Sequence, residues 1–266
     1  MERISRRYVL RAASLLPAAV LTGGVRGARA AGPLRINTHT ALWPLGPSDR
    51  GPGVFLAVLE AAAAALGRSI EAEILPAERS LRLVSAGVDD GDGPRIEQMD
   101  QLYPNLHRVE EPLVDYRFVA FASPGELQVD DWASLSDSHV AVVRGWKILE
   151  KNLAGAASLQ SIRTPALLFD HLARGRAEVA VFEESMGIGL LADRRLTDRF
   201  VPVHPPLAVR PMFLFLHSDQ SALAEPLAGE LRRLKSTGEG RAIVRRVLGE
   251  HPLTDFPGVA AHWGHP

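Results

Sequence analysis

Leu75–Ala122, LPAERSLRLVSAGVDDGDGPRIEQMDQLYPNLHRVEEPLVDYRFVAFA, is the stretch on which the fold reading turns. It opens with a short amphipathic helix, because Ala77, Leu81 and Val84 lie four and three residues apart and share one face. Gly87 is a natural left-handed stop for that helix. An acidic, glycine-broken segment follows (Val88 to Gly93), and Arg95 is then placed at the head of a second short helix. Tyr103-Pro104-Asn105 ends that helix, since proline pushes its predecessor out of the α region. Leu106–Val109 and Arg117–Ala122 read as strands. The unit is helix, loop, helix, strand, strand, with Arg79 and Arg95 aimed at loops rather than at an apolar face.

Upstream, Leu34–Thr40 reads as a first strand, and Ala41–Pro52 as a proline- and glycine-rich loop carrying Trp43. A helix runs from about Gly53 to Leu66, with Val54, Val58, Ala62 and Leu66 on one face, and Ile70–Ile74 is the next strand. Strand and helix alternate in this way in parallel sheets with helical crossovers. Downstream, Ser123-Pro124-Gly125 is a linker signal, and the pattern restarts. Val140–Val143 is a buried strand, Arg144–Lys147 turns into a helix through about Leu153, and Ser158–Ile162 is a strand. Thr164-Pro165 caps a helix with Leu168 and Leu172 inward, Val179–Phe182 is a strand, and Glu183-Glu184-Ser185 begins another helix. Phe200–Val203 ends this second array, and Met212–Leu216 is a strand able to run back into the first. Two helices finish the fold, one carrying Leu223, Leu227, Leu231 and Leu234, the other Ile243 and Val247. Thr254–Pro266 has no periodicity and is expected to be a loose tail.

The expected architecture is therefore α/β with two lobes. Residues 33–122 and 210–250 form a discontinuous first lobe, 123–209 the second, and strands near 117–122 and 210–216 cross between them. Ligands of open parallel sheets lie at strand carboxyl ends, so two such edges facing each other make a cleft that closes by hinge bending.

The chain has 266 residues, 46% of them hydrophobic, which suffices for a core and argues against disorder. It has no cysteine, so disulfides and thiolate metal sites are excluded. Arg3, Arg6, Arg7 and Arg11 precede an apolar run from Ala12 to Val25, and Ala28-Arg29-Ala30 has the form of a cleavage site. Ser5–Leu10 resembles a twin-arginine export signal, so a periplasmic protein cut near Ala30 is expected. The apolar run is too short for an anchor, and no later segment reaches spanning length. Cleavage would remove six arginines and one glutamate, leaving 24 basic against 30 acidic residues. That net charge of −6 argues against a nucleic-acid partner.

Four pieces in order, Pro76–Arg79, Ser85–Gly91, Arg95 and Arg117–Ala122, resemble the extracytoplasmic solute-binding proteins of bacterial transporters, in the family-3 (polar amino acid) branch. The resemblance covers most of the mature chain. It implies a two-lobe periplasmic-binding-protein fold of type II, no catalysis and no cofactor. It also implies a monomer that hands a small polar solute to the permease of an ATP-binding-cassette transporter. Relatives carry serine or threonine where Gly91–Pro94 stands here, so the resemblance leaves open whether the solute is an amino acid.

Arg95 is the leading site candidate, because a guanidinium in a cleft holds a carboxylate through two parallel hydrogen bonds. The resemblance gives it that role; the structural alternative is an ion pair with Glu97 or a nearby aspartate. The resemblance assigns a ligand ammonium to Glu183, with Glu184 an equal neighbour; acids at a helix start explain both without a ligand. Gly145, Trp146 and Lys147 sit at a strand-to-helix turn whose backbone N–H groups suit an anion, although Trp146 also fits a packed turn residue. Trp43 lies where relatives place an aromatic against the ligand. Arg79 faces either the cleft or Glu78 at the surface.

The aspartates of Asp89–Gly93 lack the spacing and closing glutamate of an EF-hand loop, and His262 and His265 lack further ligands, so no metal site is expected. No nucleophile elbow, P-loop or H-E-x-x-H run occurs. Arg232, Arg233, Arg241, Arg245 and Arg246 read as solvated helix faces or a docking surface. The expected function is non-enzymatic binding of a carboxylate-bearing or zwitterionic solute. The alternatives are a dehydratase-like periplasmic enzyme and a sensory module for a membrane receptor.

Overall fold

The computed structural model describes residues 32–39 and 53–264. Trp43 and the export-signal reading of residues 1–30 lie outside the described residues. Among the latter, no helix is long and apolar enough to cross a membrane.

The first parallel array is built from β1 (Leu34–Thr38), α1 (Val54–Ala65), β2 (Ile70–Ile74) and α2 (Ala77–Ser85). β1 pairs in parallel with β2, and on its other side with β3 (Gly91–Ile96). The face expected on α1 is the buried one, with Val54, Val58 and Ala62 at 0% exposure. Gly87 adopts φ +70° after α2, as the stop signal predicts. After α3 (Met99–Leu102) and β4 (Leu106–Arg108), β5 (Val114–Ala122) leaves toward the second array.

That array is β6 (His139–Val143), α4 (Lys147–Asn152), β7 (Ser158–Ile162), α5 (Pro165–Ala173), β8 (Val179–Glu183) and α6 (Glu184–Asp193). β6 and β8 are continuous apolar runs because both faces are covered, the usual state of parallel strands. Thr164 caps α5 by accepting the Leu167 N–H at 3.3 Å. The expected end strand and return strand are one element, β9 (Val201–His217). The sheet runs β2-β1-β3-β9-β5-β8-β6-β7, with β4 also on β9. β5 and β9 pair antiparallel and form the bridge between the two parallel halves. The two-lobe α/β architecture with two crossing strands is thus borne out.

Three expectations are corrected. Arg95 does not head a helix: it lies within β3, which pairs antiparallel with β9 through Asp92↔Phe215 and Arg95↔Phe213. The glycines that suggested a loop mark close packing in an inner strand. A Cβ on Gly91 would stand 2.8 Å from Ile36 Cδ1, and one on Gly93 would stand 2.5 Å from Phe55 Cζ. Thr254–Pro266 is not a loose tail, because Pro257–Trp263 forms α9, with Val259 and Trp263 buried. The helices α7 (Ala224–Ser236) and α8 (Glu239–Leu248) pack on α1. The buried stripe of α8 runs through Gly240, Val244 and Leu248, one position beyond the predicted Ile243 and Val247.

Candidate functional site

Three strand ends and one turn meet between the lobes. β1 delivers His39, β3 delivers Arg95, β5 delivers Tyr116 and Phe118, and the turn after β6 delivers Gly145–Ile148. They line a small inner cavity of about 30 Å3. A larger cavity of about 450 Å3 lies beside it, lined by Gln98 and Gln101 near α3, Lys151 and Asn152 on α4, and Arg210 on β9. The two share Ile96, Lys147 and Ile148 as walls, so they are neighbouring compartments of one cleft.

Arg95 is 4% exposed. A buried guanidinium needs a partner, since an isolated charge out of water is far too costly. Its Nε donates to Asp92 Oδ2 at 2.6 Å, and Nη2 donates to the Ala77 carbonyl at 2.8 Å. Asp92 is fully buried and is itself held by the Ser80 hydroxyl, which donates to Oδ1 at 2.5 Å. The bulge in β3 between Asp92 and Arg95 brings this pair together on the strand. Arg95 Nη1 has no hydrogen-bond partner among the described residues.

His39 was not singled out from the sequence. Its Nδ1 is buried without a hydrogen bond among the described residues. Burial, and secondarily the Arg95 charge, hold its pKa well below the ordinary histidine value, so it is neutral. A usable signal existed in its position, immediately after a strand carboxyl end, where ligands of parallel sheets gather.

Trp146 is a packed residue. It stacks on Phe182 (ring centroids 4.7 Å apart) and Tyr116 (5.8 Å), with the edge of His39 at 5.5 Å. Its indole therefore fills the aromatic corner of the cleft. The turn N–H groups read as an anion site are partly taken by the chain itself: Gly145 donates to Glu150 Oε1 at 2.7 Å. Lys147 reaches across the cleft to Glu78 Oε2 at 2.8 Å and also contacts Glu150 Oε2 at 3.3 Å. Burial alone would lower its pKa, but the two carboxylates outweigh that and raise it.

Gly145 approaches the start of α2 closely, at Ala77 and Glu78. Its φ is +87°, and a Cβ there would lie 2.8 Å from the Glu78 nitrogen. Gly145→Ala is expected to cost about 1–2 kcal/mol from backbone strain alone. It should also push the lobes apart, read as a lower denaturation midpoint and a larger radius of gyration in solution scattering. An unchanged radius would show that the turn yields without opening the cleft.

The remaining candidates lie elsewhere. Glu183 is buried and accepts the Met186 N–H at 2.8 Å, capping α6, and it does not line either cavity. Glu184 pairs with Arg117 Nε at 2.6 Å and His204 Nε2 at 3.1 Å. Arg79 is exposed and lines neither cavity. The structure thus brings Arg95, Gly145, Trp146 and Lys147 together, and keeps Glu183, Glu184 and Arg79 apart from them.

No protein-family model matches the chain. A protein of Shewanella oneidensis described as uncharacterized is 26% identical over 187 residues, covering 66% of this chain and 69% of the relative. Among solved structures, an ancestral arginine-binding protein bound to glutamine is similar at a TM-score of 0.69 and 18% identity, over 82% of this chain and 99% of that one. The substrate-binding protein of an amino acid ABC transporter is similar at a TM-score of 0.67 and 16% identity, over 82% of this chain and 100% of that one. A histidine kinase sensor domain with similarity to periplasmic binding proteins reaches a TM-score of 0.69 at 20% identity, over 82% of this chain and 97% of that one. At such identities a likeness is one of fold, and the fold of this chain is the two-lobe periplasmic-binding-protein architecture of type II.

Proposed function

We propose that the protein is a non-enzymatic extracytoplasmic receptor that binds a small carboxylate-bearing or zwitterionic solute between its lobes. The observation that carries this reading is Arg95. Its guanidinium is buried at the cleft and braced by Asp92 and the Ala77 carbonyl, and it keeps Nη1 unpartnered among the described residues. Bracing of this kind pre-organises a cation so that little entropy is lost when a ligand arrives. The inner cavity admits only the head of an acid, and the 450 Å3 compartment beside it has room for the body. Gln98, Gln101, Asn152, Lys151 and Arg210 supply polar contacts there.

In this reading Trp146 and Tyr116 form the apolar wall, and Lys147 joins the lobes through Glu78. Glu183 and Glu184 position α6 rather than touch the solute. The lobes are 33–122 with 210–250, and 123–209. Residues 1–30 direct export by the twin-arginine route, with cleavage near Ala30, and the closed complex is delivered to an ABC-type permease as a monomer. A sensory role is the second reading, favoured by the likeness to a histidine kinase sensor domain.

Native mass spectrometry of the purified protein should reveal a bound small acid, and that compound should then stabilise the protein. At about 100 times its Kd a ligand adds about 2.7 kcal/mol to the folded state. For a chain of this size that is an upshift in Tm of about 5–10 °C. Steady conversion of the compound to a product would point to an enzyme instead. No stabilisation by any amino acid or small carboxylate would reject the proposal.

A further inference from the structure

We infer that His39 is the second contact for the acidic group that Arg95 receives, and that a proton from solvent enters the cleft with that group. This inference rests on the cleft-binding reading above and names what the inner compartment recognises. Two observations carry it independently of Arg95. The His39 ring lines the inner cavity, and its Nδ1 is a buried polar atom with no partner among the described residues. A buried nitrogen left unsatisfied carries a standing desolvation cost that a ligand oxygen would relieve.

The charges facing His39 specify the ligand. From β3 it meets Arg95, whose charge is shared with Asp92 behind it. Tyr116 from β5 and Lys147 from the turn after β6 line the same cavity, and Trp146 of that turn meets the edge of the His39 ring. Lys147 is already paired with Glu78 of α2 and with Glu150. None of the described residues lining the inner cavity is a carboxylate. An ammonium or guanidinium entering here would meet like charge, with no unpaired carboxylate among the described lining residues. A carboxylate would meet Arg95 Nη1 and the imidazole.

The proton follows from the same arrangement. Burial and Arg95 favour the neutral imidazole. A carboxylate beside it supplies the missing negative charge and favours the imidazolium. One proton therefore moves from solvent to His39 as the ligand binds, whenever the pH lies between the free and the bound titration points. In that window affinity rises as pH falls, by at most tenfold per pH unit for one proton.

The test uses the full chain, labelled with 15N at histidine and tryptophan and titrated with sodium acetate at constant ionic strength between about pH 5 and 8. His39→Gln identifies the His39 signal. Acetate is expected to shift the Trp146 indole and the His39 imidazole together and saturably, and His39 should titrate at higher pH when acetate is bound. Acetate affinity should fall about tenfold in His39→Gln, the loss of one hydrogen bond to a charged group, and its pH dependence should disappear. If Trp146 responds and His39 does not, or if affinity is independent of pH in the wild type, the inference is overturned and the cleft reading survives. If neither signal responds, both fall.

Discussion

Arg95→Ala is expected to lower the unfolding free energy by about 3–5 kcal/mol, because it strands Asp92 as an uncompensated buried carboxylate. Asp92 is 0% exposed, and its remaining side-chain partner among the described residues is the Ser80 hydroxyl. The double variant Arg95→Met, Asp92→Asn should recover most of that loss, since replacing both members of a buried pair by neutral groups is often nearly neutral. Denaturant midpoints of the two variants decide the matter. Equal losses in both would mean that the packing of Arg95, rather than its charge, holds β3 in place. The double variant also isolates function: a protein that folds and no longer responds to small carboxylates locates the ligand contact at this guanidinium.

The C-terminal helix should matter as much. Trp263→Ala is expected to cost about 3–5 kcal/mol, the range for emptying a fully buried aromatic site. The indole is 1% exposed and donates to the Leu113 carbonyl at 2.6 Å. It lies so close to α8 that a Cβ on Gly240 would stand 2.3 Å from Trp263 Cζ3. Lys235 sits over the same ring at 5.2 Å, and His262 Nε2 contacts Asp115 Oδ1 at 2.7 Å. Gly258 lets the helix cross β5 with no side chain between, since a Cβ there would be 2.1 Å from the Asp115 carbonyl oxygen. Ending the chain at Phe256 should therefore free the backbone of residues 113–116, read as faster amide exchange there and a lower Tm. A loss below about 1 kcal/mol, the size of an ordinary surface substitution or less, would show that α9 is an ornament of the fold.

Both predictions fall on features that local patterns did not announce. β3 reads as a loop because Gly91, Asp92, Gly93 and Pro94 lack the alternation of a half-buried strand. It is a strand because Ile36, Phe55 and the β9 backbone crowd it from three sides. α9 is seven residues long, too short to show a periodic face, and it is held by contacts with residues about 150 positions earlier. Arg95 stood out because a guanidinium suits a carboxylate and the family resemblance gives its position that role. Which partner it takes depended on the bulge in β3. His39 was passed over because a lone histidine after a strand carries no local mark of burial.

What the amino-acid order determined unaided is most of the succession of β and α units and the turn at Ser123–Gly125. Those features arise from side-chain periodicity and turn chemistry within a few residues of one another. Tertiary structure decided which charges are spent on the protein itself: Lys147 on Glu78, the Gly145 N–H on Glu150, and Glu184 on Arg117 and His204. Two of those pairs, Lys147 with Glu78 and Glu184 with Arg117, are nearly seventy residues apart. Such pairings depend on how two sheets are joined through β5 and β9, and no local pattern carries that information.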